Sequence, residues 1–224
     1  MRFPLKITIS KENYLKTIAE AASEGETVIA ATLVKRLCVT APAVTMAIRR
    51  LKRDKLIHVS EQGQLELTPS GREIADRLLM RHHLIERMLT EVFGMEWYKV
   101  HEEAEHLEHA VSPDFERKLI EKLGAGEACP HGNCVRGDTA AERRARGWLP
   151  LAELAAGVKA EVRSVFERDA RLLELLHTLG LRPGSSFELL GRNNDGTLTL
   201  TLGARTVQLG RPAAEQIWVE PAPA

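Results

Sequence analysis

The chain has 224 residues, 44% apolar and 28% charged, and its 31 basic and 31 acidic side chains balance to a formal charge of zero. This is ordinary globular usage, enough for one large domain or two to three small ones, and it excludes collagen-like and disordered classes. No apolar run approaches the roughly 18 residues that span a bilayer, the opening "MRFPLKITIS" lacks a signal peptide's apolar core, and the cysteines (Cys38, Cys129, Cys134) are odd in number, so the expectation is a cytoplasmic protein with no membrane partner and no disulfide framework.

The first helix is expected over "KENYLKTIAEAASEG", with Ser10 as N-cap and Gly25 as its stop. A second follows in "IAATLVKRLCV". A third, "TAPAVTMAIRRLKRDKL", takes Thr40 as N-cap and Pro42 in its first turn, where a missing N–H costs nothing. Val44, Ile48 and Leu51 give it a core-facing stripe. "LIHVSEQGQLELTPSG" alternates around Gln62-Gly63 and reads as a β-hairpin. Two helices, a turn, a third helix and a hairpin make a winged helix-turn-helix. The longest helix runs from Ser70 to Phe93 and stops at Gly94; a helix holding "VHEEAEHLEHAVS" follows, then one capped by Ser112 and running to about Leu123. "GAGEACPHGNCVRGDTAAERRARG" reads as loop and linker. Beyond Leu149, "FELLGRNNDGTLTLTLGARTVQLG" holds three β-rich runs with an Asp-Gly turn, and one helix is expected from about Asp169 to Leu179. The fold class is therefore mainly α with a small β-domain. The expected divisions are a winged helix-turn-helix over 1–70, a helical domain over 71–140, a linker over 141–149 and a small β-barrel over 150–224.

The zero net charge hides a basic block (Lys35, Arg36, Arg49, Arg50, Lys52, Arg53, Lys55) and an acidic one (Glu96, Glu102, Glu103, Glu105, Glu108). Either block alone reads as a solvated helix face; together they suggest two different partners. In a helix-turn-helix the N-terminal residues of the second helix reach base edges. Here those are Thr40, Ala41, Pro42, Ala43 and Thr45, small residues suited to thymine methyls and close approach but not to bidentate readout. Arg49, Arg50 and Arg53, with Lys35, suit phosphates, which supply affinity and register rather than sequence information.

The acidic helix divides by angle. Measured from His101 on an ideal helix, Glu105 lies at about 40°, Glu108 at about −20° and His109 at about 80°, with Glu103 and His106 well outside that arc. These four side chains flank the apolar stripe of Val100, Ala104, Leu107 and Val111, where two carboxylates without a cation lose solvation and repel. On the preceding helix His82 and Glu86 share one edge, while His83 points elsewhere. Two antiparallel helices thus present six imidazoles and carboxylates to each other, a donor set suited to manganese or iron(II). "HEEAEH" is one residue too long for a zinc-protease motif, because its two His lie about 140° apart. No phosphate-cradling loop and no nucleophile elbow is present, so an enzyme is not expected. In "CPHGNC", turn chemistry accounts for Pro130 and Gly132 without a metal, although His131 lies between the two Cys.

The stretches "YLKTIAE", "TAPAVTMAIRRLKRDKLI", "LTPSGREIA", "RHHLIERML" and "VHEEAEHLEHAVS" resemble the diphtheria-toxin-repressor family of metal-dependent transcription factors, over nearly the whole chain. The C-terminal part, with "LGLRPG", is similar to the Src-homology-type β-domain of ferrous-iron transport proteins. The resemblance implies a homodimer that binds a palindromic operator when loaded with iron(II) or manganese(II) and represses metal-uptake genes. It places a primary metal site on Asn13, Glu105, Glu108 and His109, and an ancillary one on His82, Glu86 and His101, with Asp169 the nearest candidate for a further ligand from the β-domain. Iron-type members carry Met and Cys where this chain has Asn13 and Glu105, and manganese-type members carry Asp and Glu; the oxygen-rich set leans towards manganese. Lys16 replaces a further acidic ligand of some manganese members. Two other readings stay open: a regulator that activates or answers another ligand, and an accessory module for ferrous-iron transport.

Overall fold

The computed structural model describes residues 7–124, 128–134 and 138–223; two short stretches of the expected loop and linker, 125–127 and 135–137, lie outside the described residues. The N-terminal part consists of α1 (Ile9–Ser23), α2 (Ala30–Leu37), α3 (Ala41–Arg53) and the hairpin β1 (Ile57–Val59) and β2 (Leu65–Leu67). Its first helix starts earlier than Ser10. Thr8 is extended, and its hydroxyl and carbonyl accept from the Lys11 and Glu12 amides, so Ser10 lies inside the helix. Thr40 caps α3 as expected, with Pro42 in its first turn. Helices α2 and α3 meet at 118°, within the usual helix-turn-helix range, and Cys38 makes the turn in the left-handed region at φ 52°. Val44 and Leu51 anchor α3 in a core shared with Leu15, Ile18, Leu33 and Leu65.

Helix α4 (Pro69–Glu91) runs on from the hairpin. Gly71 allows that junction, since a Cβ there would overlap the carbonyl of Leu56. Helices α5 (Val100–Leu107) and α6 (Pro113–Leu123) pack on α4 around two small apolar clusters, Ile85-Leu89-Val100-Ala104 and Leu84-Leu119-Leu123. The fifth helix stops at Leu107. Glu108 still bonds back to Ala104, but the Ala110 amide bonds to Leu107, a tighter turn that leads into the Ser112-Pro113 start of α6. The ideal-helix angle assigned to His109 therefore does not hold.

The stretch expected to be linker contains a short helix, α7 (Ala140–Ala145), fixed by a reciprocal capping box between Thr139 and Glu142. The β-domain holds β3 (Leu149–Pro150), β4 (Lys159–Val165), α8 (Ala170–Leu179), β5 (Ser186–Arg192), β6 (Leu198–Leu202), β7 (Arg205–Leu209), the one-turn α9 (Arg211–Ala214) and β8 (Ile217–Pro221). Its sheet is antiparallel in the order β3-β8-β4-β5-β6-β7. Bulges at Val162/Ser164 and Leu189/Gly191 bend the strands over a core that includes Val162, Leu173, Leu176, Leu189 and Val219. The expected class, mainly α with a small β-domain of the Src-homology type, is the observed one. No single helix among the described residues is long and apolar enough to cross a membrane.

Candidate metal centre

Four segments converge on Glu86, whose side chain is fully buried in α4. One turn earlier His82, also fully buried, places Nε2 at 3.0 Å from Glu86 Oε1. His101 on α5 brings Nδ1 to 3.2 Å from the same oxygen and 2.9 Å from His82 Nε2. The segment between β4 and α8 contributes Glu167, whose Oε1 is 3.9 Å from His101 Nδ1. The turn at 129–134 brings His131 Nδ1 to 3.3 Å from Glu86 Oε1.

Ligand atoms of His82, Glu86, His101 and Glu167 lie within 4.8 Å of one another, and so do those of an overlapping group, His83, Glu86, Cys129 and Glu167. Three buried atoms here have no hydrogen-bond partner: Glu86 Oε2, His83 Nδ1 and His131 Nε2. A single carboxylate oxygen facing three imidazole nitrogens, with orphaned atoms around it, is a poor hydrogen-bond network. It is a suitable donor set for a divalent cation, and two carboxylates with neutral imidazoles balance that ion's charge. His82 is already oriented for the role: with Nδ1–H donating to Glu108 Oε2 at 2.7 Å, its Nε2 lone pair faces the cluster. A cavity of about 390 Å³ lined by Met95, Tyr98, His101, Glu102 and Glu167 opens onto two members of the cluster.

The electrostatics agree. Burial alone would raise the pKa of Glu86, but His131, His82 and His101 hold it well below the usual carboxylate range. Burial pushes His101 down, yet Glu86, Glu167 and Glu105 outweigh it and raise its pKa to about 9. Without a metal, protons supply the positive charge that the buried carboxylates require.

The residues expected to form the primary site sit differently. Glu108 is buried, but its Oε2 already accepts from Lys16 and His82. His109 Nδ1 lies 2.8 Å from Glu12 Oε2 and its Nε2 3.5 Å from Glu108 Oε1. Glu105 is half-exposed, 3.7 Å from His101 Nε2 and 3.9 Å from Lys16 Nζ. Asn13 is half-buried on α1. Among the described residues, Glu105, Glu108 and His109 do not gather as one ligand group.

In the β-domain, Glu167 rather than Asp169 reaches the cluster. The Asp169 carboxylate is engaged in capping α8, accepting from the Arg171 and Leu172 amides. His83 does not point away: it is 2% exposed and faces Glu167 at 3.4 Å, because the β-domain covers a second flank of α4. The "CPHGNC" turn also takes part. Gly132, at φ 80°, fits where a Cβ would overlap the carbonyl of Arg163, and the Val165 amide bonds to the His131 carbonyl at 2.9 Å, seating buried His131 and Cys129 against β4. Helical periodicity cannot find such loop residues. The only signal was a buried-type residue trio in a turn.

In the DNA-binding part, Lys35, Thr40, Pro42, Ala43, Thr45, Arg49, Arg50 and Arg53 are all exposed. Arg36, of the same basic block, is turned inward onto Glu24 and Glu26.

Residues 6–65 match the iron dependent repressor N-terminal DNA binding domain, residues 68–135 the iron dependent repressor metal binding and dimerisation domain, and residues 149–221 the FeoA domain. A diphtheria toxin repressor of Corynebacterium efficiens is 32% identical over 218 residues, covering 93% of this chain and 94% of that protein. The iron-dependent repressor IdeR of Mycobacterium tuberculosis is 33% identical over 220 residues, covering 93% and 96%. A solved manganese-dependent transcriptional repressor in complex with manganese is similar at a TM-score of 0.84 and 30% identity, covering 95% of this chain and 100% of that one.

Two outcomes follow from the cluster. His101 in the metal-free fold titrates at about 9, above its ordinary value, so its contribution to stability is complete below about pH 6.5 and is lost as pH rises through about 9. The metal-free melting temperature should fall across that window and flatten in His101→Gln; a wild-type profile already flat there would contradict the assignment. Separately, Glu167→Gln should weaken manganese(II) binding about 10- to 100-fold in a calorimetric titration, whereas Asp169→Asn should leave it nearly unchanged.

Proposed function

The chain belongs to the iron-dependent, or diphtheria toxin, repressor family, and from that premise we propose that it is a cytoplasmic metal-dependent transcriptional repressor: a homodimer that binds a palindromic operator when loaded with manganese(II) or iron(II) and represses metal-uptake genes. The observation that carries this reading is the buried convergence of His82, Glu86, His101 and Glu167 from three segments of the chain, with partnerless polar atoms at its centre. The working divisions are DNA binding over 1–70, metal binding and dimerisation over 71–140, a linker over 141–149 and the β-domain over 150–224. No residue is assigned a catalytic role.

A bound divalent ion would supply the positive charge that the cluster otherwise takes from protons. Everything else is done by side chains of the chain. His82 and Glu86 offer donors from α4, His101 from α5 and Glu167 from the β-domain. Arg168, the neighbour of Glu167, reaches the DNA-binding part, its guanidinium holding Glu20 on α1 at 2.8 Å and Glu24, the residue that caps α1, at 2.7 Å. Fixing Glu167 therefore also fixes Arg168, and through it the angle of α1 and the helix-turn-helix. Two recognition helices must present half-sites about one DNA turn, or a multiple, apart. An arrangement held in one geometry binds better than one sampling several, which is a population shift towards the DNA-competent state.

The dimer face is assigned to the helical domain. Its apolar clusters are small, and Val92, Phe93, Leu107 and Phe115, at the ends of its helices, are exposed, Phe93 to 67%. Large apolar side chains left in water beside a thin core mark an association surface.

The decisive experiment is operator binding measured with and without manganese(II) and iron(II). Metal-dependent binding is expected; binding of equal strength without metal would favour a regulator of another ligand, and no binding at all an accessory transport module. In the metal-loaded protein, Arg50→Ala should weaken binding on all sequences and lower the salt-dependence slope by about one. Phe93→Glu should weaken dimerisation by at least about tenfold in sedimentation, with the number of metal ions per chain unchanged.

A further inference from the structure

Lys16 points its ammonium into the region where the primary metal site was expected. It lies one helical turn after Asn13 on the same face of α1 and is only 5% exposed. Its Nζ donates to Glu108 Oε2 at 2.7 Å and lies 3.2 Å from His82 Nδ1 and 3.9 Å from Glu105 Oε1. A buried ammonium within hydrogen-bond distance of one carboxylate and beside a second places a cation at this position.

The buried carboxylate of that position is already partnered. Glu108 Oε2 accepts a second hydrogen bond, from His82, also at 2.7 Å, which uses the lone pairs a metal would need. His109 Nδ1 lies 2.8 Å from Glu12, and its Nε2 is 3.5 Å from Glu108 Oε1. Glu105 and Glu108 together bring two negative charges, and Lys16 cancels one of them, which weakens the attraction for a divalent ion. At the neighbouring cluster the situation differs: Lys16 stands on the Nδ1 side of His82, opposite the Nε2 that faces Glu86, and Glu86 Oε2 has no partner.

We propose that Lys16 is the built-in cation of the Asn13, Glu105, Glu108 and His109 position, which is satisfied without metal, so that the tight metal ion of this chain is held by the His82, Glu86, His101 and Glu167 cluster. The inference rests on reading the chain as a metal-dependent regulator. Metal enters the Lys16 position only by displacing an ammonium, and Lys16 sets the concentration at which that happens. The same ion pair joins α1 of the DNA-binding part to the end of α5 at all times, supplying permanently a link that a metal ion there would supply only when bound.

The test is the count of manganese(II) ions tightly bound per chain, by equilibrium dialysis and calorimetry on the full-length protein. Wild type is expected to hold one and Lys16→Met two. The extra ion should vanish when His109→Ala is added to Lys16→Met and survive when Glu167→Gln is added. Metal-free Lys16→Met should melt below wild type, because Glu108 loses its ammonium, and manganese should restore it; Lys16→Arg, which keeps the charge, should hold one ion and melt near wild type. The inference is overturned if wild type holds a second tight ion that His109→Ala removes, or if Lys16→Met gains none. The wild-type count with and without His109→Ala decides alone should Lys16→Met not fold. Wild type binding no manganese(II) or iron(II) at all would overturn the metal-dependent reading itself, and this inference with it.

Discussion

A carboxylate with no exposure, placed in the middle of a helix, has to be compensated, and the arrangement around α4 follows from how Glu86 is compensated. Removing an ionised carboxylate from water costs several kcal/mol unless charge and hydrogen bonds replace the solvent. Oε1 of Glu86 collects His82 from its own helix, His101 from α5 and His131 from the turn at 129–134, at 3.0 to 3.3 Å. A single helix cannot supply all of these, so the need to compensate Glu86 draws segments together that are distant in sequence. The β-domain is drawn in through Glu167, which faces His83, His101 and His131. Glu167 itself lies mostly buried beside Glu86, and His83 and His101 hold it ionised against both burial and that neighbour.

The first helix and its C-cap are tied to this side of the molecule by a row of ion pairs. Glu12 meets His109, Lys16 meets Glu108, and Glu20 and Glu24 meet Arg168. These four positions recur every three to four residues and so form one charged ridge facing the rest of the molecule. The opposite face of α1 is apolar and packs through Leu15 and Ile18 into the core that holds α2 and α3. The ridge and the recognition helix therefore belong to one packed body. Glu24 extends the linkage further, since Arg36 on α2 bonds to the same carboxylate that Arg168 holds.

What the amino-acid sequence disclosed was whatever local geometry governs. Caps, turns and a 3.6-residue period revealed the helix-turn-helix, the hairpin, α4 and the edge that carries His82, Glu86 and His101. Helical angles failed where the helix did: His109 lies beyond the last turn of α5, and its direction is set by the tight turn before Ser112. Glu167, Cys129 and His131 were illegible as a site because they come from loops whose meeting depends on how the β-domain docks. Periodicity along one element says nothing about such closure. Asp169 was the nearer guess by residue type, but at the start of α8 a carboxylate serves the helix amides, as helix N-termini favour. Strands β4 and β8 went unread because "KAEVRSV" and "IWVEP" lie apart from the hairpin turns that marked β5, β6 and β7.

The two overlapping ligand groups share Glu86 and Glu167, so they compete for the same carboxylates, and the choice between them is a choice of chemistry. The group with His82 and His101 needs the loss of the His101 proton, which titrates at about 9. The group with Cys129 needs a thiolate, and burial together with Glu86 and Glu167 pushes that thiol well above its usual range. Only an ion that bonds strongly to sulfur recovers the cost of removing that proton. Manganese(II) and iron(II) gain less from thiolate than a softer ion does, so the nitrogen-and-oxygen group is the one that suits them. Burial among carboxylates thus disfavours the thiolate that the Cys129 group would need.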